Sequence, residues 1–247
     1  MNRYTDRVAL VTGGTSGMGL AAARRLIAEG AQVIVTGRTA DRVRAAAAEL
    51  GPEATGIAAD TADLDALDAL TDTIATRFGR LDLVFANAGA GTFAPFPEIT
   101  EELFDHAVAV NFKGVFFTVQ KTVPLLAAGG SVVLNASWTL HRADSALTLY
   151  AATKAAVHNL ARTLATELGP RGIRVNSISP GYIDTPMSAG AMTEDFAAMA
   201  AGRVVTGRFG TAEEVAALVA FLGSAEASYV TGQDIIVDGG LVAAYPG

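Results

Sequence analysis

Tyr150 and Lys154 stand four residues apart within TLYAATKAAVHNL, residues 148–160. The apolar spacing of that stretch predicts a helix, so the phenol and the amine share one face. A phenol at its ordinary pKa of about 10 is a sluggish acid–base catalyst near neutral pH. An ammonium group beside it favours the phenolate and lowers that pKa. Lysine suits the task because its charge is compact and it can also donate to ribose hydroxyls. Only three of the 18 basic residues are lysines, so an amine here departs from the arginine used nearly everywhere else.

A second constellation lies near the N-terminus. The run VALVT leads into TGGTSGMGLAAARRL, where Gly13, Gly17 and Gly19 fall between a strand pattern and a helix pattern. Glycine permits the tight turn and a close approach of backbone to phosphate. The N–H groups of the following helix attract a pyrophosphate. With Thr15, Ser16 and Met18 these glycines make a candidate dinucleotide cradle, the alternative being a simple structural turn. A cofactor with a free ribose 2′-hydroxyl calls for an acid about twenty residues further on. The sequence there reads VTGRTADR, with Arg38 and no acid before Asp41. An arginine at that place grips a 2′-phosphate, which favours NADP(H), with NAD(H) as the alternative.

The elements that must position these residues alternate along the chain. VALVT (8–12), QVIVT (32–36), LDLVFA (81–86), SVVLNA (131–136), IRVNSI (173–178) and DIIVD (234–238) read as buried strands, and ATGIAA (54–59) as a weaker one. Amphipathic helical patterns separate them, including one over residues 101–126 that Pro124 should kink or end. Such alternation implies right-handed βαβ crossovers. The expected fold is α/β, a single Rossmann-type doubly wound parallel sheet with helices on both faces, spanning residues 1–247. Residues 184–210, rich in Met, Thr, Gly and Ala, are the one long irregular stretch and a candidate substrate lid.

Composition narrows the function classes. The 247 residues are 51% hydrophobic and carry a net charge of -7, with no basic block, which argues against a nucleic-acid partner. The absence of cysteine removes disulfides, thiolate nucleophiles and Cys-ligated zinc, and suits a cytoplasmic location. No apolar span of membrane length occurs, so no membrane partner is expected. His106, His141 and His158 show no metal-ligand spacing, and no metal is expected.

Taken in order, Gly13-x3-Gly17-x-Gly19, NAG at 87–89, Asn111 in VNFKG, Ser137, Tyr150-x3-Lys154 and PGYIDTPM at 180–187 resemble the short-chain dehydrogenase/reductase family over nearly the whole chain. The resemblance implies an oxidoreductase that moves a hydride between NADP(H) and a secondary alcohol or ketone. It implies that Tyr150 exchanges the proton, Lys154 lowers the tyrosine pKa, and Ser137 hydrogen-bonds the substrate oxygen. Asn111 would hold a water that relays protons from Lys154 to solvent. Asp60 would contact adenine, the alternative being a helix cap. Asn87 would brace the central strand beside Ala88 and Gly89. Ile183 and Thr185, after Pro180 and Gly181, would meet the nicotinamide carboxamide. A homotetramer is also implied, and the small faces of the Tyr150 helix and the tail GGLVAAYPG are compatible with it.

Substrate identity is less constrained. The loops at the C-terminal strand ends should wall the pocket with residues 90–93 and 138–141, Leu147, Tyr182, Met187, Met192, Phe196 and Met199. Trp138, immediately after Ser137, departs from the small residues that the family usually keeps there. It either packs beneath the lid or shapes an apolar pocket for a bulky or aromatic ketone. Among the histidines only His141 is a candidate to face substrate. Two other readings stay open: a nucleotide-binding sensor without turnover and, within enzymes, an isomerase or C=C reductase.

Overall fold

A computed structural model describes residues 2–191 and 193–244. Met192, and residues 245–247 of the tail, lie outside the described residues.

The first half is a run of strand–helix units: β1 (Val8–Val11), α1 (Gly17–Ala28), β2 (Gln32–Gly37), α2 (Ala40–Leu50), β3 (Ala54–Ala58), α3 (Leu64–Phe78) and β4 (Leu81–Ala86). After it come α4 (Glu101–Val108), α5 (Gly114–Thr122), β5 (Leu126–Asn135), α6 (Thr148–Leu168) and β6 (Arg174–Pro180). The chain continues through β7 (Ile183–Asp184), α7 (Pro186–Ala191), α8 (Glu194–Gly202), β8 (Gly210–Thr211), α9 (Ala212–Gly223) and β9 (Asp234–Val237). Seven strands form one parallel sheet in the order β3-β2-β1-β4-β5-β6-β9. The order reverses between β1 and β4, and the crevice beyond the strand C-termini at such a point is where open α/β sheets take ligands.

Strand alternation divides the core into two layers. Val8 and Leu10 of β1 face one side, packed with Leu67, Leu70 and Ile74 of α3 and with Val157 and Ala161 of α6. Ala9 and Val11 face the other, packed with Ala22 and Leu26 of α1 and Val219 of α9. Both faces of β1 and β4 are covered, which explains why these strands read as unbroken apolar runs. Truncating fully buried Leu10 or Leu134 to alanine would cost about 2–5 kcal/mol.

Two expectations need correction. The single helix over 101–126 is instead α4 and α5, joined through a wide π-turn at Ala109–Lys113 that contains Asn111. The apolar period runs through the turn, so the sequence pattern hides it. The α-helix does end ahead of Pro124, as expected: α5 closes at Thr122 and a single 3-10 turn at Val123–Leu125 carries the proline. Much of 184–210 is regular rather than irregular: it holds α7 and α8, with turns at 203–209, and Ile183↔Gly210 pairing in a two-stranded ladder fastens the segment. Its helix signals are local. Pro186 opens α7, where a missing N–H costs nothing, and the Thr193 hydroxyl accepts from Phe196 N–H at the start of α8.

Candidate active site

Two clefts open over the C-terminal ends of the central strands. The polar one, about 270 Å³, is walled by the glycine turn, Arg38, Asp60, the backbone at Asn87 to Gly89, and Lys154. The apolar one, about 340 Å³, is walled by Phe93, Ser137, Trp138, Leu147, Tyr182 and Phe196. Met18, Asn135, Tyr150, Thr185 and Met187 line both. Lys154 lines only the polar cleft and Ser137 only the apolar one, so Tyr150 stands on the boundary between them.

The polar cleft suits a dinucleotide phosphate. Gly17 lies at φ +52, a conformation that side chains disfavour, and a Cβ on Gly19 would fall 2.3 Å from the Gly13 carbonyl oxygen. Gly19 therefore supports the cradle from beneath rather than lining it. Ser16 makes no side-chain cap and the first turn of α1 carries no acid, which leaves the N–H groups and their partial positive charge to an anion. Thr15, Ser16 and Met18 line the cleft as expected. At its far end Arg38 is joined by Arg42, one turn into α2, a residue the sequence reading passed over. Asp60 lines the cleft, where its Oδ1 accepts from Ala62 N–H at 3.0 Å; the cap of α3 is Asp63 instead. The orphaned Oδ1 of Asn135 is buried without a partner and borders both clefts, a donor-seeking atom where a nicotinamide nucleotide would lie. The donor set thus fits such a cofactor.

A polar lattice locks this end of the sheet. The Asn87 amide donates to the carbonyls of Thr12 (3.0 Å) and Gly13 (3.2 Å), and accepts from Asn135 Nδ2 at 3.0 Å, bridging β1, β4 and β5. Thr12 Oγ1 accepts from the N–H groups of Asn87 and Ala88, a role the sequence did not reveal. Asn111 is fully buried in the π-turn. Its Oδ1 accepts from Ala90 N–H at 2.8 Å and its Nδ2 donates to the Ala90 carbonyl at 2.9 Å, so it clamps the backbone just past Gly89.

Tyr150 and Lys154 emerge one turn apart from α6, as their spacing requires. Lys154 is 2% exposed, and its Nζ donates to the Asn135 carbonyl at 2.7 Å. Burial lowers its pKa to about 8. Burial likewise pushes the Tyr150 phenol up, while a hydrogen bond with Ser137 pulls it down. The Lys154 ammonium lies 5.7 Å from the Tyr150 ring centroid. The downward pull on the tyrosine comes from Ser137 rather than from Lys154, and burial outweighs it.

Ser137 is oriented by a neighbour absent from the expected set. Thr139 Oγ1 donates to Ser137 Oγ at 3.0 Å, and Thr139 N–H does so at 3.3 Å. With its acceptor side occupied, the serine hydroxyl is left to donate toward the cleft.

The substrate-side expectations divide. Trp138 packs beneath α8 and also borders the apolar cleft. It is 6% exposed and packs against Tyr182 with centroids 5.1 Å apart. Tyr182 in turn stacks on Phe209 at 5.3 Å. Pro180, Gly181 and Ile183 line the apolar cleft, and Thr185 and Met187 line both. His141 is a correction. It lies off both clefts with its Nε2 on Asp234 Oδ2 at 2.8 Å, because the short helical turn at Trp138–Leu140 carries it away from Tyr150. Met199 is also off the cleft and half exposed.

The sequence model described as Enoyl-(Acyl carrier protein) reductase matches residues 13–242. "Oxidoreductase asL5" of Sarocladium schorii is 41% identical, with 98% of each chain covered. The cis-4-hydroxycyclohexanecarboxylate dehydrogenase of Sinomonas cyclohexanicum is 39% identical over 97% of this chain and 98% of that one. A short-chain dehydrogenase from Burkholderia cenocepacia, crystallised in complex with NADP, superposes with a TM-score of 0.92 at 37% identity, covering 98% of this chain and all of that one. The chain belongs to the short-chain dehydrogenase/reductase family, whose members bind a nicotinamide cofactor and whose relatives here include oxidoreductases of secondary alcohols and ketones. Among the described residues no helix is long and apolar enough to cross a membrane.

Proposed function

We propose that this protein interconverts a compact, uncharged, ring-sized ketone and its secondary alcohol with NADP(H). The observation that carries the reading is the position of Tyr150, the one titratable group lining both clefts. A nicotinamide bound in the polar cleft would supply the hydride chemistry at the carbonyl carbon. In the reducing direction the Tyr150 phenol gives its proton to the carbonyl oxygen, and the Ser137 hydroxyl, aimed by Thr139, donates a second hydrogen bond to that oxygen. Lys154, charged at neutral pH, stabilises the tyrosinate left behind, and Asn111 holds the Ala90 backbone that borders the site.

The substrate class follows from the cleft wall. Phe93, Trp138, Leu147, Tyr182, Met187 and Phe196 supply apolar surface, and the single charged lining residue, Asp144, is paired with Arg203 at 3.0 Å. A volume near the lower end of ligand pockets favours a small ring over a long chain. Arg38 and Arg42 support preference for the 2′-phosphate. Exposed Leu103, Phe104 and Phe116 on α4 and α5 are compatible with a homotetramer, which light scattering would test.

The direct test is NADPH oxidation over a panel of cyclic and open-chain ketones, with Tyr150→Phe as control. The expected result is turnover with cyclic ketones and a loss of about 10²- to 10⁴-fold in kcat for the variant, with NADPH binding retained. Undiminished turnover in Tyr150→Phe would overturn the mechanism. NADPH binding with no turnover of any ketone would favour a sensor.

A further inference from the structure

Outside the two clefts the fold gathers three side chains from distant parts of the chain: His141 beyond the Ser137 turn, His158 on α6, and Asp234 at the start of β9. Among the described residues this is the one group of three metal-ligating side chains whose ligand atoms lie within 4.8 Å of one another. The Nε2 of His141 is 2.8 Å from Asp234 Oδ2, the Nδ1 of His158 is 4.0 Å from the same oxygen, and the two imidazole centroids are 5.9 Å apart.

Two further observations make this more than a chance hydrogen bond. The Nδ1 of His158 is buried with no hydrogen-bond partner among the described residues, an arrangement that costs desolvation without return. The Asp234 carboxylate is held rigidly from behind: Ser177 donates to its Oδ1 at 2.6 Å, and Ser179 donates to Oδ1 at 3.1 Å and to Oδ2 at 2.9 Å. Outer hydrogen bonds of that kind fix the orientation of a ligating carboxylate.

We propose that His141, His158 and Asp234 form a binding site for one divalent transition ion of the zinc class. Two imidazoles and one carboxylate are ligands that zinc accepts at about 2.0–2.2 Å, which places tetrahedral donor atoms about 3.3 Å apart. The present separations of 2.8 and 4.0 Å straddle that spacing, so small side-chain rotations close the site. Both histidine side chains remain about one-fifth exposed, which gives the ion a path and leaves a fourth position for water. The bound ion ties the end of the Ser137 turn, the helix of Lys154 and the edge strand β9 into one unit. It is a structural and positioning site, distinct from the hydride chemistry.

The test uses full-length protein without a polyhistidine tag. Elemental analysis after equilibration with Zn²⁺ and removal of free metal is expected to find one zinc per chain, and Co²⁺ is expected to give the visible absorption of a tetrahedral N,O site. Zinc should raise the Tm. In H141Q and H158Q the zinc affinity should fall by more than the roughly 10- to 100-fold that loss of an outer partner costs. Circular dichroism and the zinc-free Tm show whether each variant is folded, and exposed His141 is the safer substitution. Absence of zinc from the wild-type protein would overturn the proposal. So would zinc retained by the folded double variant, which would put the ion elsewhere.

Discussion

Lys154 and Asn135 are joined across α6 and β5 by a bond from Nζ to the main-chain carbonyl at 2.7 Å, in a position where the amine is 2% exposed. The fold thus keeps a cation out of water and offers it one carbonyl, with no carboxylate among the described residues in hydrogen-bond contact. Such an arrangement costs stability.

Replacing Lys154 by methionine should therefore stabilise the protein while removing activity. Burial lowers the amine from 10.5 to about 8, so between those pH values the unfolded chain binds more protons than the folded one. This group's contribution to stability rises as pH climbs through that window, and below pH 8 the full cost of the buried charge is present. After subtracting the lost bond to Asn135, the K154M protein should gain about 2 kcal/mol near pH 7. Thermal denaturation from pH 6 to 10 checks this, and a variant less stable than wild type at neutral pH would contradict it.

Arg38 and Arg42 should divide the cofactors. Removing either guanidinium should weaken NADPH binding by about 10- to 100-fold and leave NADH nearly unchanged, as expected for loss of a charge-assisted bond to phosphate. Fluorescence titration with both cofactors measures it. An equal loss for both would assign the arginines to general packing around adenine.

Thr139→Val keeps the shape at that position and deletes the hydroxyl that donates to Ser137. With Ser137 less well aimed, kcat should fall about 5- to 10-fold at nearly constant KM. The pH–rate profile should shift as the Ser137–Tyr150 bond weakens. A change confined to KM would place Thr139 in substrate binding instead.

Trp138→Ala opens the aromatic stack with Tyr182 and enlarges the apolar cleft. Stability should drop by about 3–5 kcal/mol, and kcat/KM should move toward bulkier ketones relative to small rings. Denaturant melts and a ketone size series read the two effects separately.

The placement of Tyr150 beside Lys154 and the glycine turn ahead of α1 are legible in the sequence because each depends on neighbours within one helix turn or one strand–helix junction. Four-residue spacing carries Tyr150 and Lys154 to one face whatever surrounds α6. Other features depend on contacts between distant segments. Asn87 meets Asn135 because β4 lies beside β5, and Asp234 meets His141 and His158 because β9 closes the sheet edge. Neither relation has a spacing to read. The π-turn around Asn111 was masked by an apolar period that continues through it, and Thr139 was overlooked because a bond to Ser137 two residues back leaves no pattern. The helices of 184–210 were signalled by Pro186 and Thr193, but a composition rich in Gly, Ala and Met obscured them.

The small ladder that pairs Ile183 with Gly210 and Asp184 with Thr211 has an evolutionary consequence. Because the two ends of the α7–α8 segment are already fastened together, its length is nearly decoupled from the rest of the molecule. Doubling such a loop costs only about 0.6 kcal/mol of closure entropy. Insertions, deletions or wholesale exchange between its two anchor points can therefore remodel the mouth of the apolar cleft while the main sheet and the Tyr150 helix keep their places. The segment is an exchangeable module, and drift in substrate range has an inexpensive route through it.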